Sequence, residues 1–431
     1  MSQRTVLMLT YHFPPSAASG SFRLLGFARH LPARGWRTAV VAPPGLPWEP
    51  VDPGLLARVP AETVVYRVPY VKTRLARKLA PYTGWFPRAA LACRTAIHEQ
   101  RPAAVLTSGP PHQVHWLGWW LKRRYGLPWI ADFRDPWYNA EGIVDPPPTL
   151  ASWRVRTRES RIMRAADCVL ANAPGACRRF QDVHSSLAAK FVTLPNGYDR
   201  ETFEAIAPEI APRTPGTPIR VVHAGAIYAN RDPLPILDAI RRLIHPRAGI
   251  SREFHLSFLG PPPENGLDLG EAVASRGLAE SVSIAGQVPY DRALRAMASA
   301  DILLLMDTPR RTVGVPAKLY EYIGAGRPVL ALGERGGDLA HVLERSGIPH
   351  RIAPPGDSVA IASALSELSV EVESRGSALM LRSTHPYSRE ALAGQLADVL
   401  DRCAGFGAEQ GRGRSEVSCR LQTASVGLGD S

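Results

Sequence analysis

Cysteine is scarce. Five residues, Cys93, Cys168, Cys177, Cys403 and Cys419, are spread over a chain of 431. Their number is odd and no two form a C-x-x-C pair, so neither a disulfide framework nor a zinc ligand set is indicated. Long apolar runs are missing too. None approaches the roughly 20 residues needed to cross a bilayer. The apolar core within Met1–Thr10 is far shorter than the about 7–15 residues of a signal-peptide core, and it reads as a first buried strand. The chain is therefore expected in the cytoplasm, at most peripheral on the inner face of the membrane. There is no G-x-x-x-x-G-K-[ST], no H-E-x-x-H and no G-x-S-x-G, and no G-x-G-x-x-G follows an apolar run. These absences argue against a P-loop nucleotidase, a zinc protease, an α/β-hydrolase and a dinucleotide dehydrogenase.

Acidic residues are scarce in one half only. Residues 1–200 hold 27 Lys and Arg against 12 Asp and Glu, a net of +15, while the remainder holds 24 against 27. Such asymmetry suggests that the first half meets a polyanion or an anionic membrane surface. An arginine-rich composition without a partner is the other reading. No nucleic-acid-binding motif is present, and no nucleic-acid partner is expected. A hydrophobic content of 45% with 21% charged residues is that of a globular protein, and this length favours two domains.

Short apolar runs alternate with longer amphipathic stretches, the pattern of parallel α/β domains. Strands are expected at Thr5–Thr10, Thr38–Ala42, Thr63–Val68, Ala104–Thr107, Trp129–Ala131 and Cys168–Ala171. A second series is expected at Arg220–His223, His255–Leu259, Val282–Ile284, Ile302–Leu305, Val329–Leu332 and near Ile352. Helices are expected between them, among them Ser21–Pro32, His112–Tyr125, Leu150–Ala166 and Pro316–Gly324. The chain divides into an acceptor-side domain (1–206), a Pro-rich linker (207–218), a nucleotide-side domain (219–387), a last helix (388–403) and a disordered tail (404–431). Two such domains facing each other place strand C-termini and helix N-termini around one cleft.

The densest signal is Pro316-Ala-Lys-Leu-Tyr-Glu321-Tyr-Ile-Gly-Ala-Gly-Arg-Pro328. A helix start with a nearby cation suits phosphates. Lys318 and Glu321, three apart, share a helix face. Glu321 is placed to grip ribose hydroxyls while Lys318 meets a diphosphate. The loop after the first strand carries Gly20, which allows close backbone approach, and Arg23, a fixed charge able to make paired hydrogen bonds. Gly225 and Arg231 take the same parts after the first strand of the second half, where Arg231 reads equally as a solvated helix-start charge. His112, behind Pro110-Pro111, either points into the cleft or caps its helix. Asp132, Arg134 and Asp135 are either an ion-pair network or a cleft and acceptor contact. Trp116, Trp119 and Trp120 beside Lys122-Arg-Arg124 mean core packing or an interfacial membrane contact.

Together these segments resemble the GT-B glycosyltransferases of family 4, over about Thr5 to Cys403. The resemblance rests on Phe13-Pro-Pro with Gly20 and Arg23, Leu194-Pro-Asn196-Gly197-Tyr-Asp199, Gly286-Gln-Val-Pro-Tyr, Ala300-Asp301-Ile-Leu-Leu and, most specifically, Lys318-Leu-Tyr-Glu321-Tyr with Gly326-Arg-Pro328. It implies two doubly wound Rossmann-like domains and retaining transfer of a sugar from a nucleotide-diphosphate donor to a glycan or lipid-linked acceptor. It gives Glu321 the donor ribose, Gly20 and Arg231 the diphosphate, and His112 the sugar or the reacting centre. No metal ligand set is visible in the sequence, so metal independence is expected, with no cofactor besides the nucleotide-sugar co-substrate. Where the family commonly has a second Glu eight positions before the ribose Glu, this chain has Val313. A nucleotide-sugar epimerase of the same fold and a non-catalytic nucleotide-sugar-binding protein are the alternatives.

Overall fold

Runs of Val, Leu, Ile and Ala bounded by Gly, Pro and charged residues form two wholly parallel sheets. They were traced in a computed structural model that describes residues 3–45, 49–70, 83–138, 149–211, 213–214, 216–244, 253–375 and 385–406. The first sheet comprises β1 (Arg4–Thr10), β2 (Trp36–Ala42), β3 (Val64–Arg67), β4 (Ala104–Gly109), β5 (Trp129–Phe133), β6 (Cys168–Ala171) and β7 (Phe191–Thr193). The second comprises β8 (Ile219–Ala224), β9 (Phe254–Leu259), β10 (Val282–Gly286), β11 (Ile302–Met306), β12 (Val329–Leu332) and β13 (His350–Ala353). The strand orders are β3-β2-β1-β4-β5-β6-β7 and β10-β9-β8-β11-β12-β13. In each sheet the order reverses beside the first strand, where neighbouring loops part and leave a crevice. Full burial of most strands on both faces explains their continuous apolar runs.

The helices of the first half are α1 (Ser19–His30), α2 (Phe86–Gln100), α3 (His115–Tyr125), α4 (Leu150–Ala165), α5 (Pro174–Val183) and α6 (Arg200–Ile206). Those of the second are α7 (Leu234–Ile244), α8 (Leu269–Ala274), α9 (Tyr290–Ser299), α10 (Lys318–Ala325), α11 (Asp338–Ser346), α12 (Ser358–Arg375) and α13 (Arg389–Cys403). Among the described residues no helix is long and apolar enough to cross a membrane. Three helix starts differ from expectation, α1 beginning at Ser19 rather than Ser21. His112–Val114 form a 3-10 turn before α3, and α10 begins at Lys318 rather than Pro316, with Ala317 at its N-cap. Gly326, at φ 62°, ends α10 in the left-handed conformation that Gly tolerates.

The last helix, α13, packs on the first domain. Leu392, Leu396 and Leu400 are buried among Leu24, Phe27, Leu31 and Trp36, each contributing on the order of 2 kcal/mol. The Trp36 indole donates to Asp401 at 2.9 Å. Two crossing segments run side by side between the domains: the Tyr198 amide donates to the Tyr387 carbonyl at 3.1 Å, and the Arg389 amide to the Tyr198 carbonyl at 2.9 Å. Asp338, at the start of α11, accepts from the amides of Gly175 (2.6 Å) and Gly314 (2.8 Å), one in each domain. Residues Ala404–Phe406, assigned above to the tail, lie against the first domain, with Arg4 over the Phe406 ring at 4.7 Å. The remainder of the expected tail, and positions 212 and 215 of the expected linker, lie outside the described residues.

Candidate active site

Between the C-terminal edges of the two sheets lies a cleft of about 1000 Å³. Its first wall is the turn from β1 into α1 (Ala17, Ala18, Ser19, Phe22, Arg23) with Pro195–Gly197. The second is formed by Ala224–Ala226, Leu259–Pro261, Gln287–Tyr290 and the start of α10. Arg389 and Leu392 of α13 complete it. Gly225 has φ 144°, a conformation L side chains rarely adopt, and a Cβ there would stand 3.6 Å from the Lys318 side chain. Its bareness leaves the backbone accessible beside a cation.

Glu321 is the polar centre of the second wall and is 7% exposed. Lys318 Nζ donates to its Oε2 at 2.6 Å and Tyr290 Oη to its Oε1 at 2.9 Å. Burial pushes the carboxyl up, but Lys318, Arg389 and the Tyr290 hydroxyl outweigh it and hold it below the usual Glu range. Burial next to Glu321 raises the Tyr290 phenol well above its ordinary value, so it remains a donor. The Tyr290 ring meets Phe22 across the cleft at 4.6 Å between centroids.

Of the residues singled out in the sequence, Arg23, Gly225, Lys318 and Glu321 line this cleft together. The Arg23 guanidinium is already engaged: it donates to Asp132 from Nε (2.9 Å) and Nη2 (2.8 Å), and to the carbonyls of Pro195 (2.6 Å) and Leu194 (2.9 Å). Asp132 is fully buried and also accepts from Ser108 at 2.7 Å. Arg23 thus fastens α1 to β5 and to the crossing segment. Gly20 lies behind the wall, its bare Cα against the Arg134 guanidinium, where any Cβ would collide. Arg134 in turn donates to the carbonyls of Gly109 (3.2 Å) and Pro110.

His112 and Arg231 flank the cleft without lining it. His112 is buried, stacked on Phe133 (5.1 Å) and Trp137 (5.4 Å), and its Nδ1 has no hydrogen-bond partner. Burial, with Arg134 nearby, lowers its pKa to about 3. Asp135 bonds Asn172, and burial raises its pKa against the pull of Arg134 and of Arg311 from the second domain. Arg311 pairs with Asp307 at 2.5 Å. Arg231 lies over Tyr228 at 4.6 Å and feels Asp307 and Arg311. Among the described residues no group of three or more His, Cys, Asp or Glu could hold a metal ion.

The glycosyl transferase 4-like domain family matches residues 21–197, and glycosyl transferases group 1 matches residues 218–370. The chain belongs to the GT-B glycosyltransferases. A segment of 84 residues is 30% identical to the probable glycosyltransferase WbjE of Pseudomonas aeruginosa, spanning 19% of this chain and 21% of that protein. Many solved structures share the fold. The glycosyltransferase of Rickettsia africae has a TM-score of 0.68 at 13% identity, over 94% of this chain and 99% of that one. HepE of Anabaena, in complex with UDP and glucose, has a TM-score of 0.61 at 16% identity, over 93% and 100%.

Sequence reasoning did not single out Tyr290 and Arg389, which line this glycosyltransferase's cleft, or Arg311, which pairs with Asp307. Tyr290 stood in a family-like stretch with nothing to mark its hydroxyl as the partner of Glu321. Arg389 carried no local signal, because its partner Asp199 is 190 positions away. Arg311 read as one more arginine in a loop. His223, just before Gly225, is fully buried; its pKa is lowered to about 4 by burial, with Arg231 and Lys318 adding to the shift, so those two cations flank the same ring.

Proposed function

We propose that this glycosyltransferase binds a nucleotide-diphosphate sugar in the cleft and transfers the sugar, with retention, to a glycan or lipid-linked acceptor such as a surface polysaccharide precursor. The observation that carries the reading is the buried Glu321, held by Lys318 and Tyr290 at the start of a helix that faces the bare backbone of Gly225. In this reading the carboxylate accepts from the ribose hydroxyls, and Lys318 turns from Glu321 toward the diphosphate. HepE, which shares the fold, is known with UDP-glucose, which supports a donor of that class.

Transfer breaks the bond from the sugar's anomeric carbon to the diphosphate oxygen and forms one to the acceptor oxygen. The acceptor proton passes to the leaving diphosphate. Lys318 and Arg231 supply positive charge where negative charge develops. His112 lies beside the cleft rather than in its lining, and any part it plays toward the sugar is that of a neutral imidazole, since burial lowers its pKa to about 3 and its Nδ1 is unpartnered. The net +15 of residues 1–200 supports an acceptor at the anionic inner face of a membrane. Val313, in place of an acid, favours a second reading: a nucleotide-sugar binder without turnover.

The test is release of nucleoside diphosphate from UDP-, GDP-, ADP- and dTDP-sugars, with and without a lipid-linked acceptor. Acceptor-dependent release supports transfer. Conversion of the sugar nucleotide without acceptor would make the protein an epimerase, and binding without turnover would leave the second reading.

A further inference from the structure

Helix α4 (Leu150–Ala165) carries five arginines, at 154, 156, 158, 161 and 164, and one acid. The acid, Glu159, is turned inward, where its carboxylate accepts from the amides of Trp137 (2.7 Å) and Tyr138 (2.9 Å). All five arginines are exposed, and none forms an ion pair among the described residues. Trp153, Arg156, Arg161 and Arg164 line one side of a groove of about 540 Å³, and Trp119 of α3 lines the other. The spacing places these α4 residues on one helical stripe. No acidic residue lines the groove. Trp153 is 62% exposed, and so is Leu150, one turn before it. Trp119 is itself covered by Arg123 at 5.2 Å.

Two large apolar side chains standing in water beside unpaired arginines cost free energy in an isolated monomer. The combination suits the boundary between phosphate headgroups and acyl chains. It fits nucleic acid less well, since Leu150 offers a base neither stacking nor hydrogen bonds. We propose that the α3–α4 face docks on an anionic phospholipid bilayer. Leu150 and Trp153 enter the headgroup–acyl boundary, and Arg156, Arg161 and Arg164 take the headgroup phosphates. The proposal deepens the reading of a membrane-proximal acceptor and rests on it for its purpose. β6 begins directly after α4, so the opposite end of the helix, with Leu150 and Trp153, lies toward the sheet edge where the cleft opens. Docking through that end would hold the cleft beside the membrane surface.

The test is co-sedimentation of the full chain with phosphatidylcholine vesicles, with and without phosphatidylglycerol. The expected result is binding that needs phosphatidylglycerol and weakens with salt. Replacing Arg156, Arg161 and Arg164 by Gln is expected to weaken it by roughly fivefold per arginine, on the order of a hundredfold in all. Brominated acyl chains are expected to quench tryptophan fluorescence, less so after Trp153→Phe. If the triple variant melts early, Arg161→Gln alone and quenching of the wild type decide. Absence of binding, binding that both variants leave intact, or preferential salt-sensitive RNA binding lost in the triple variant would overturn the proposal. No sugar donor enters the measurement, so its failure is distinct from failure of the donor site.

Discussion

Arg389 donates from Nη1 to Oδ2 of Asp199 at 2.6 Å, and both groups are buried. One residue opens the last helix and the other ends the segment crossing into the second domain, so this pair locks two passages of the chain together. Burial pushes the Asp199 carboxyl up, but Arg389, His30 and Arg29 more than reverse it and hold it far below the usual range.

Arg389→Met is therefore expected to leave the buried Asp199 with Arg29 and His30 as its remaining partners, at a cost of up to about 3 kcal/mol. Because the folded carboxyl is depressed, its stabilisation is present above the unfolded value near 4 and is lost as pH falls below it. Urea unfolding should show a large gap between variant and wild type at pH 7 that narrows at pH 3.

Glu159 behaves in the opposite sense. Burial raises its carboxyl to about 7, the amides of Tyr138 and Trp137 only partly opposing the shift. Its contribution is full below the unfolded value near 4.3 and is lost as pH rises through 7. Glu159→Gln, which keeps an acceptor for those amides, should gain on the order of 2 kcal/mol relative to wild type between pH 4 and 8. A stability difference that does not change with pH would refute this.

Lys318→Ala and Arg231→Ala are expected to weaken binding of a nucleoside diphosphate by roughly 10- to 100-fold, the size of a lost charge-assisted hydrogen bond. Binding of the bare nucleoside should change little. Calorimetry with both ligands separates the diphosphate contribution, and equal losses for the two would place these cations elsewhere.

His112 should contribute no ionisation to the pH–rate profile between pH 5 and 8, because burial keeps its ring neutral down to about pH 3. His112→Gln is expected to lower kcat while leaving the shape of that profile unchanged. A limb near pH 6.5 that disappears in the variant would contradict a neutral role.

Much of the fold was legible because apolar runs such as Val329–Leu332 can only be buried strands between helices of the opposite pattern. β7 escaped because three residues, Phe191–Thr193, display no period, and α6 is little longer. Within the site, Lys318 and Glu321 were legible because one helical turn joins them. The paired hydrogen bonds expected of Arg23 go to Asp132, 109 positions away, and Gly20 makes room for Arg134. Pairings of that range are set by the packing of α1 against the first sheet, and no local pattern records them.

The central claim is that Glu321 holds the ribose of a nucleotide sugar, and calorimetry of wild type and Glu321→Ala against UDP-, GDP-, ADP- and dTDP-sugars tests it most directly. One nucleotide series is expected to bind the wild type, and the variant to lose roughly 10- to 100-fold in affinity. Equal affinity in the two proteins, or no binding of any series to the wild type, would contradict it.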